Sequence, residues 1–247
     1  PRGEVWAKVL ENLSSAGAKV VVFDLLFDAS DRNSELLTNY GMNLGFVPPV
    51  HGDEVFANAI RETQKKGTDV ILASKIAYES TMVPPQYILL PNPLIMNANP
   101  VTGLADVIED TDGFMRRYYA FLPLAHDPDK LFMTIAMKAV QSYLDLSNDI
   151  VPIANSKEQK IEYGPLIIPT YGNTPTFLIN YAGPPSSKMV PGENIPWKTF
   201  PRYPLSNIID VAEITLSDSL EDTDWMDSFI GKVPEWINKI SDPEKKA

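Results

Sequence analysis

A near-continuous apolar run rich in β-branched residues, over positions 19–28, constrains the fold of this 247-residue chain most strongly. The preceding residues 4–16 carry apolar side chains at helical spacing, and Gly17 ends that predicted helix because glycine readily adopts the left-handed cap conformation. A strand that is apolar along its whole length is typical of a parallel sheet covered by helices on both faces. The chain is therefore predicted to open with a helix followed by a buried strand.

A second helix and strand follow the same order. Asp53 is predicted to cap a helix over residues 54–66, and residues 69–76 form the next apolar strand. Residues 29–52 between the two units are predicted to form a long irregular insertion. Alternating helices and strands favour parallel pairing. We therefore predict an α/β fold with a central mixed, partly parallel sheet flanked by helices.

Long proline-rich loops and hairpins are expected in the rest of the chain. Proline makes up 22 of the 247 residues, nearly double its usual share of ~5%. Residues 103–122 predict a hairpin with its turn at 109–113, where Asp-Gly is a strong turn signal. Residues 131–144 predict a helix with one apolar face. Short strands are predicted over residues 160–163, 165–168 and 176–181.

The composition excludes several classes of function. The chain has no cysteine and two histidines, so disulfide frameworks, thiolate zinc sites and most histidine-rich metal sites are excluded. Its formal net charge of −11 argues against a nucleic-acid partner, which needs a basic surface. The acidic residues 203–231 lack EF-hand spacing and are predicted to form a solvated face. We predict no metal and no cofactor.

Two long uncharged segments, residues 80–105 and 163–187, are both interrupted by prolines. Neither can form a membrane-spanning helix, which needs ~20 mainly apolar residues with an unbroken backbone. The chain begins at Pro1 without an initiator methionine, so we expect it to be a piece of a longer protein.

Asp24 and Asp28 are the first candidate site residues, because they follow the first buried strand. Ligands of open α/β sheets bind outside the carboxyl ends of the strands. A carboxylate there could hold a cation or act as a nucleophile, but the Asp-x-Asp pair of haloacid-dehalogenase-like phosphatases is absent, since Leu26 stands in its place. The favoured interpretation is structural: Asp24 caps a helix or pairs with a base, and Asp28 opens a turn.

A second candidate group consists of Asp112, Arg116 and Arg117. Arginine forks suit carboxylate and phosphate, and neighbouring residues on a strand point to opposite faces. An ion pair between Asp24 and Arg116 is the slightly favoured interpretation. Asn180 and Tyr181 precede a Gly-Pro-Pro turn and could line a pocket, although a turn-forming role is favoured.

No catalytic motif accompanies these residues. Glycine-rich phosphate loops and the Gly-x-Ser-x-Gly nucleophile elbow are both absent from the sequence. The chemistry of the residues alone indicates an acidic α/β domain without a recognisable catalytic constellation.

Several segments, kept in order, resemble the CHASE sensory domains of the second type (cyclase/histidine-kinase-associated sensory extracellular domains). These segments are residues 17–27, 53–60, 70–73, 103–107, 112–117, 177–185 and 200–205. They cover a core of about residues 1–210 of one domain, and residues 211–247 are then an acidic C-terminal extension. The insertion at 30–50 is longer than expected, and the family's closing strand is missing.

The resemblance implies an extracytoplasmic, ligand-binding sensor domain of a bacterial membrane receptor. It implies a periplasmic position, flanking membrane helices, and a cytoplasmic output module such as an adenylate cyclase or histidine kinase. The domain itself would not be an enzyme; its partner would be an unknown small molecule or periplasmic protein, and such receptors favour a homodimer. Its candidate ligand-binding residues would be Asp24, Asp28, Asp112, Arg116, Arg117, Asn180 and Tyr181.

Two alternatives remain open at this point. One is a metal-dependent phosphoryl-transfer enzyme that uses Asp24 and Asp28, with Mg²⁺ held by carboxylates and substrate oxygens. The other is a protein-interaction module that docks through the acidic tail with Trp225 and Trp236.

Overall fold

The computed structural model of the protein describes residues 2–32, 34–35, 50–171, 175–184, 190–191, 199–203 and 205–209. The chain divides into two compact units, residues 1–199 and 200–247. Most of the predicted insertion at 29–52 and all of the predicted extension at 211–247, with Trp225 and Trp236, lie outside the described residues.

The first half of the first unit is an α/β layer, which confirms the predicted fold class. Its helices are α1 (Arg2–Ser15), α2 (Gly52–Lys65) and the short α3 (Pro93–Met96), and its strands are β1 (Val20–Phe23), β2 (Asp69–Tyr78), β3 (Gln86–Leu89) and β4 (Val101–Leu104). β2 is parallel to β1, with Asp69 opposite Val20, and parallel to β4, with Ile71 opposite Val101. The second half of β2 pairs with β3 in antiparallel register.

Aromatic side chains join this sheet to α1 and α2. Trp6, Phe23, Phe27 and Phe56 lie with ring centroids 5.1 to 6.2 Å apart, mostly edge to face. β1 is shorter than predicted, because the chain leaves the sheet after Phe23. Of the four residues that follow, only Phe27 is buried in the core. Residues 70–74 of β2 are buried on both faces, as the unbroken apolar pattern predicts.

The helix cap predicted at Asp53 is wrong. His51 is the N-cap of α2, and its Nδ1 accepts the backbone N–H of Asp53 at 3.2 Å. Asp53 lies inside the first turn and is buried, where its Oδ2 accepts the N–H of Asp31 at 2.8 Å and the side-chain amide of Asn92 at 3.1 Å. This carboxylate therefore ties α2 to neighbouring loops instead of capping its own helix.

Small antiparallel sheets make up the second half of the first unit. Their strands are β5 (Arg117–Tyr119), β6 (Phe121–Leu124), β7 (Asp127–Met133), β8 (Ile153–Asn155), β9 (Lys160–Tyr163), β10 (Leu166–Pro169) and β11 (Thr176–Leu178). β5 pairs with β11, β6 with β7, and β9 with both β8 and β10. The helix α4 (Ile135–Tyr143) packs with them around Ile161 and Tyr163, which are fully buried. In the second unit, α5 (Leu205–Ile209) is the described helix.

Two sequence predictions fail in this region. The hairpin over residues 103–122 is wrong, because β4 pairs with β2 and β5 pairs with β11, although the turn closed by Gly113 N–H on the Asp110 carbonyl is present. The helix over residues 131–144 is too long by its first turn. Residues 131–133 belong to β7, and α4 begins after Thr134.

Candidate functional site

A pocket of about 370 Å³ opens at the carboxyl edge of the parallel strands. Parallel strands end at the same side of a sheet, so the residues that follow β1 and β4 meet the middle of β2 there. We call it the edge pocket, and its lining consists of Asp24, Leu26, Ala73, Lys75, Ala105, Asp106 and Val107.

Three charged side chains define the chemistry of the edge pocket. Asp24 and Lys75 are exposed, so a ligand can reach both. Asp106 is half-buried, and its Oδ2 accepts the backbone N–H of Ile76 at 3.0 Å, which fixes the carboxylate at the end of β4. Two carboxylates beside one ammonium can anchor a cationic group and an anionic group of the same small molecule.

Tyr118 on β5 does not line this pocket, but the charges of the pocket's carboxylates affect its pKa. Burial raises the pKa of the Tyr118 phenol above its ordinary value, and the negative charges of Asp24 and Asp106 raise it further. The phenol therefore stays protonated at neutral pH.

Asp24 lies where the sequence predicts it, at the mouth of a pocket on the carboxyl edge. Asp28 is exposed and does not line this pocket, whereas the phosphoryl-transfer alternative needs Asp24 and Asp28 at one site. Among the described residues, no group of three or more histidine or acidic side chains could hold a metal ion.

The second predicted group assembles around the Asp-Gly turn before β5. Arg116 forms a bidentate pair with Asp112, at 2.9 and 2.7 Å, and reaches Asp110 at 3.4 Å. Arg117 binds Asp110 through Nε at 2.9 Å and through Nη2. The expected ion pair between Asp24 and Arg116 is therefore wrong, because the arginine meets carboxylates within its own turn.

These contacts shift the acidity of the turn. Hydrogen bonds from Arg116 lower the pKa of Asp112 to about 2, and hydrogen bonds from Arg117 lower the pKa of Asp110. Both carboxylates stay ionised at neutral pH, so the arginine charges are largely compensated by their own turn.

Tyr181 and Asn180 lie next to this turn. The Tyr181 hydroxyl donates to the carbonyl of Met115, and Asn180 is exposed beside it. Tyr181, Arg116, Phe114 and Leu178 line an open surface groove of about 570 Å³. Of the predicted residues, Asp24 lines the edge pocket and Arg116 and Tyr181 line this groove, whereas Asp28, Asp112, Arg117 and Asn180 line neither cavity.

The profile of the CHASE2 domain matches residues 2–229, which is most of the chain. The chain belongs to the CHASE2 domain family. This is a family of extracellular sensory domains and not of enzymes, so the predicted sensory role is confirmed at that level. Neither a curated protein nor a solved structure matches the chain. The helices described for this CHASE2 domain include none that is long and apolar enough to cross a membrane.

Sequence reasoning missed Lys75 and Asp106 of the CHASE2 domain's edge pocket, and also Tyr118, whose pKa the pocket's carboxylates raise. Lys75 carries a visible signal, since it is the one charged residue of β2 after Asp69, the first residue of the strand. Asp106 and Tyr118 carry none, because their approach to Asp24 depends on the pairing of strands far apart in the sequence.

Proposed function

We propose that this CHASE2 domain is the extracytoplasmic ligand-sensing part of a bacterial membrane receptor. The observation that carries the proposal is the family match over residues 2–229, which spans the whole α/β layer and the small sheets. The domain would lie on the periplasmic or extracellular side of the inner membrane. Membrane helices outside the given chain would connect it to a cytoplasmic output module, a nucleotide cyclase or a kinase.

The edge pocket is the proposed ligand site. Asp24 and Lys75 would anchor opposite charges of a small polar molecule, with Asp106 held ready by its backbone hydrogen bond. A loop of a periplasmic protein that presents the same charges would fit the same anchors. Asp28, Asp112, Arg116, Arg117, Asn180 and Tyr181 remain candidates for secondary contacts around the two cavities.

A short chain of contacts links the edge pocket to the first helix. Leu26 lines the pocket, and the next residue, Phe27, lies with its ring centroid 6.2 Å from that of Trp6 on α1. A ligand that displaced the loop after β1 would therefore shift the packing of α1. Such a ligand signals only if it binds one arrangement of these elements better than another. A homodimer in which α1 leads toward the membrane would relay the shift to both subunits.

A thermal-shift panel tests the ligand site. The 247-residue chain would be screened with amino acids, amines, organic acids, sugars, nucleotides and divalent cations, since a ligand that binds the native state raises the apparent melting temperature. We expect at least one zwitterionic or cationic class to stabilise the wild type, and Asp24→Asn to lose that effect. Asp24 is exposed, so the substitution should leave the fold intact.

The matched control is Asp129→Asn, which removes an exposed carboxylate from β7, outside the edge pocket. It should keep the full ligand response. A stabilising ligand that acts equally on Asp24→Asn and on the wild type, or a panel in which no class stabilises the wild type, contradicts the edge pocket as the sensing site.

A further inference from the structure

A second cavity, of about 520 Å³, lies between β4, the end of β7 and α4. We call it the Lys138 cleft. Ser74 and Leu104 line this cleft, whereas Ala73, Lys75 and Ala105 line the edge pocket. The two cavities share no lining residue, although both take residues from β2 and from β4 or the residues directly after it. The volume falls within the ~300–1,000 Å³ typical of small-molecule sites.

Lys138 is the one charged side chain among the described residues that line the cleft. It is half-buried on α4, and its ammonium donates to the Gln141 side-chain oxygen at 2.9 Å. Gln141 is itself buried and donates its amide N–H to the Ser147 carbonyl at 3.1 Å, which holds the oxygen toward Lys138. The ammonium is thus positioned by a neutral amide, and no carboxylate among the described residues pairs with it.

The surroundings of Lys138 leave that charge poorly solvated. Burial lowers the pKa of the Lys138 ammonium, and within the described part of the chain no charged neighbour opposes the effect. A partly desolvated cation is stabilised by an anion that supplies a charge-assisted hydrogen bond. In a chain whose formal net charge is −11, a cleft that presents only a cation selects for an anionic occupant.

The walls of the cleft are apolar and remain open to solvent. Leu90 and Leu131 are 43% and 42% exposed, and Val151 on the opposite rim is 53% exposed. Phe132 adds an aromatic wall, and the ammonium of Lys130 lies 5.3 Å from the centre of its ring. These side chains would bury apolar surface against an occupant, which favours binding.

We propose that the Lys138 cleft binds a small organic anion, with its carboxylate on the Lys138 ammonium and its short apolar body against Leu90, Leu131 and Val151. This site is separate from the edge pocket and does not rest on the proposed receptor role. Binding can be measured on the isolated chain, so a failure here and a failure of the edge pocket give different results.

Calorimetric titration with octanoate, below its micelle-forming concentration, tests the proposal. We expect saturable binding with one octanoate per chain, and binding at least about tenfold weaker in Lys138→Gln. Lys138→Arg keeps the positive charge and should keep most of the affinity. The matched control Lys65→Gln removes an exposed lysine that pairs with Glu62 on α2, and it should bind like the wild type.

A second variant tests the cleft without touching Lys138. Val151→Glu places an anion on the exposed rim and should also weaken octanoate binding about tenfold, whereas Val83→Glu, at a position 98% exposed elsewhere, should not. Octylammonium, which has the same apolar chain, should bind far more weakly than octanoate. Equal affinity in Lys138→Gln, equal binding of octylammonium, or no saturable octanoate binding would overturn the proposal.

Discussion

Gly103 lies so close to the backbone of Ile135 that a Cβ atom at position 103 would be 2.6 Å from the Ile135 Cα. This contact presses β4 of the parallel sheet onto the start of α4. The neighbouring residues Leu104 and Thr134 form a parallel bridge at the same point. One glycine thus joins the sheet that carries the edge pocket to the helix that carries Lys138.

Gly103→Ala should destabilise the domain by about 3 kcal/mol, because the atoms that a methyl group would meet belong to the backbone and cannot rotate away. Urea unfolding of the two proteins measures the loss. Gly67→Ala is the control: its φ of +90° is costly for alanine, but nothing lies within 4 Å of the added atom. We expect it to lose only about 1 kcal/mol. Equal losses would show that the contact is unimportant.

The titration of Asp112 reports its pair with Arg116. Arg116 lowers the Asp112 pKa from 3.8 to about 2, so the native state takes up this proton less readily than the unfolded chain. The stabilisation from the pair is therefore complete above the ordinary carboxyl pKa and is lost as the pH falls toward 2. Arg116→Gln should return the Asp112 midpoint toward 3.8 in an NMR titration.

Two comparisons show whether the lowered Asp112 pKa is due to Arg116 itself or to positive charge in general. Arg61→Gln, which removes a half-buried arginine on α2, should leave the Asp112 midpoint unchanged. High salt should weaken the shift, because both partners of the pair are about half exposed. An Asp112 midpoint that is the same with and without Arg116 is the contradicting result.

Tyr163, the last residue of β9, is fully buried against α4. Its hydroxyl has no hydrogen-bond partner among the described residues. Burial raises its pKa to about 12, so the hydroxyl remains protonated at neutral pH with its donor unused. Tyr163→Phe should therefore unfold at the same urea concentration as the wild type, or be more stable by up to about 1 kcal/mol. A stability loss of about 2 kcal/mol or more is what removal of a hydrogen-bonded buried hydroxyl would cost, so it would reveal a partner for this hydroxyl.

The start of the fold could be predicted because it depends on single segments. β1 and β2 are apolar along their buried lengths, and that pattern alone favours parallel strands covered by helices. The position of Asp24 follows directly, since the carboxyl end of β1 lies at the ligand-binding edge of such a sheet. The Asp-Gly turn at Gly113 depends on local backbone conformation and was predictable for the same reason.

Elements that depend on distant partners could not be predicted. The apolar pattern of residues 131–133 is compatible with both a helix and a strand. These residues form a strand because they pair with β6. β4 has only four residues, so the contact of Gly103 with Ile135 and the register on β2 determine its place. Lys75 and Asp106 reach the edge pocket only through that register, which is why the sequence identified Asp24 without its neighbours.

The extracytoplasmic position of this domain is tested most directly by determining on which side of the membrane it lies. The given chain contains no cysteine, so an introduced thiol is the single labelling site within it, and the whole protein without that thiol gives the background labelling. Val83→Cys, 98% exposed, and the control Ile60→Cys, fully buried, would be placed in the whole protein and treated with a membrane-impermeant maleimide on intact cells. We predict labelling of Val83→Cys before the inner membrane is permeabilised, and labelling of Ile60→Cys only after denaturation. Labelling of Val83→Cys only after permeabilisation would contradict an extracytoplasmic sensor.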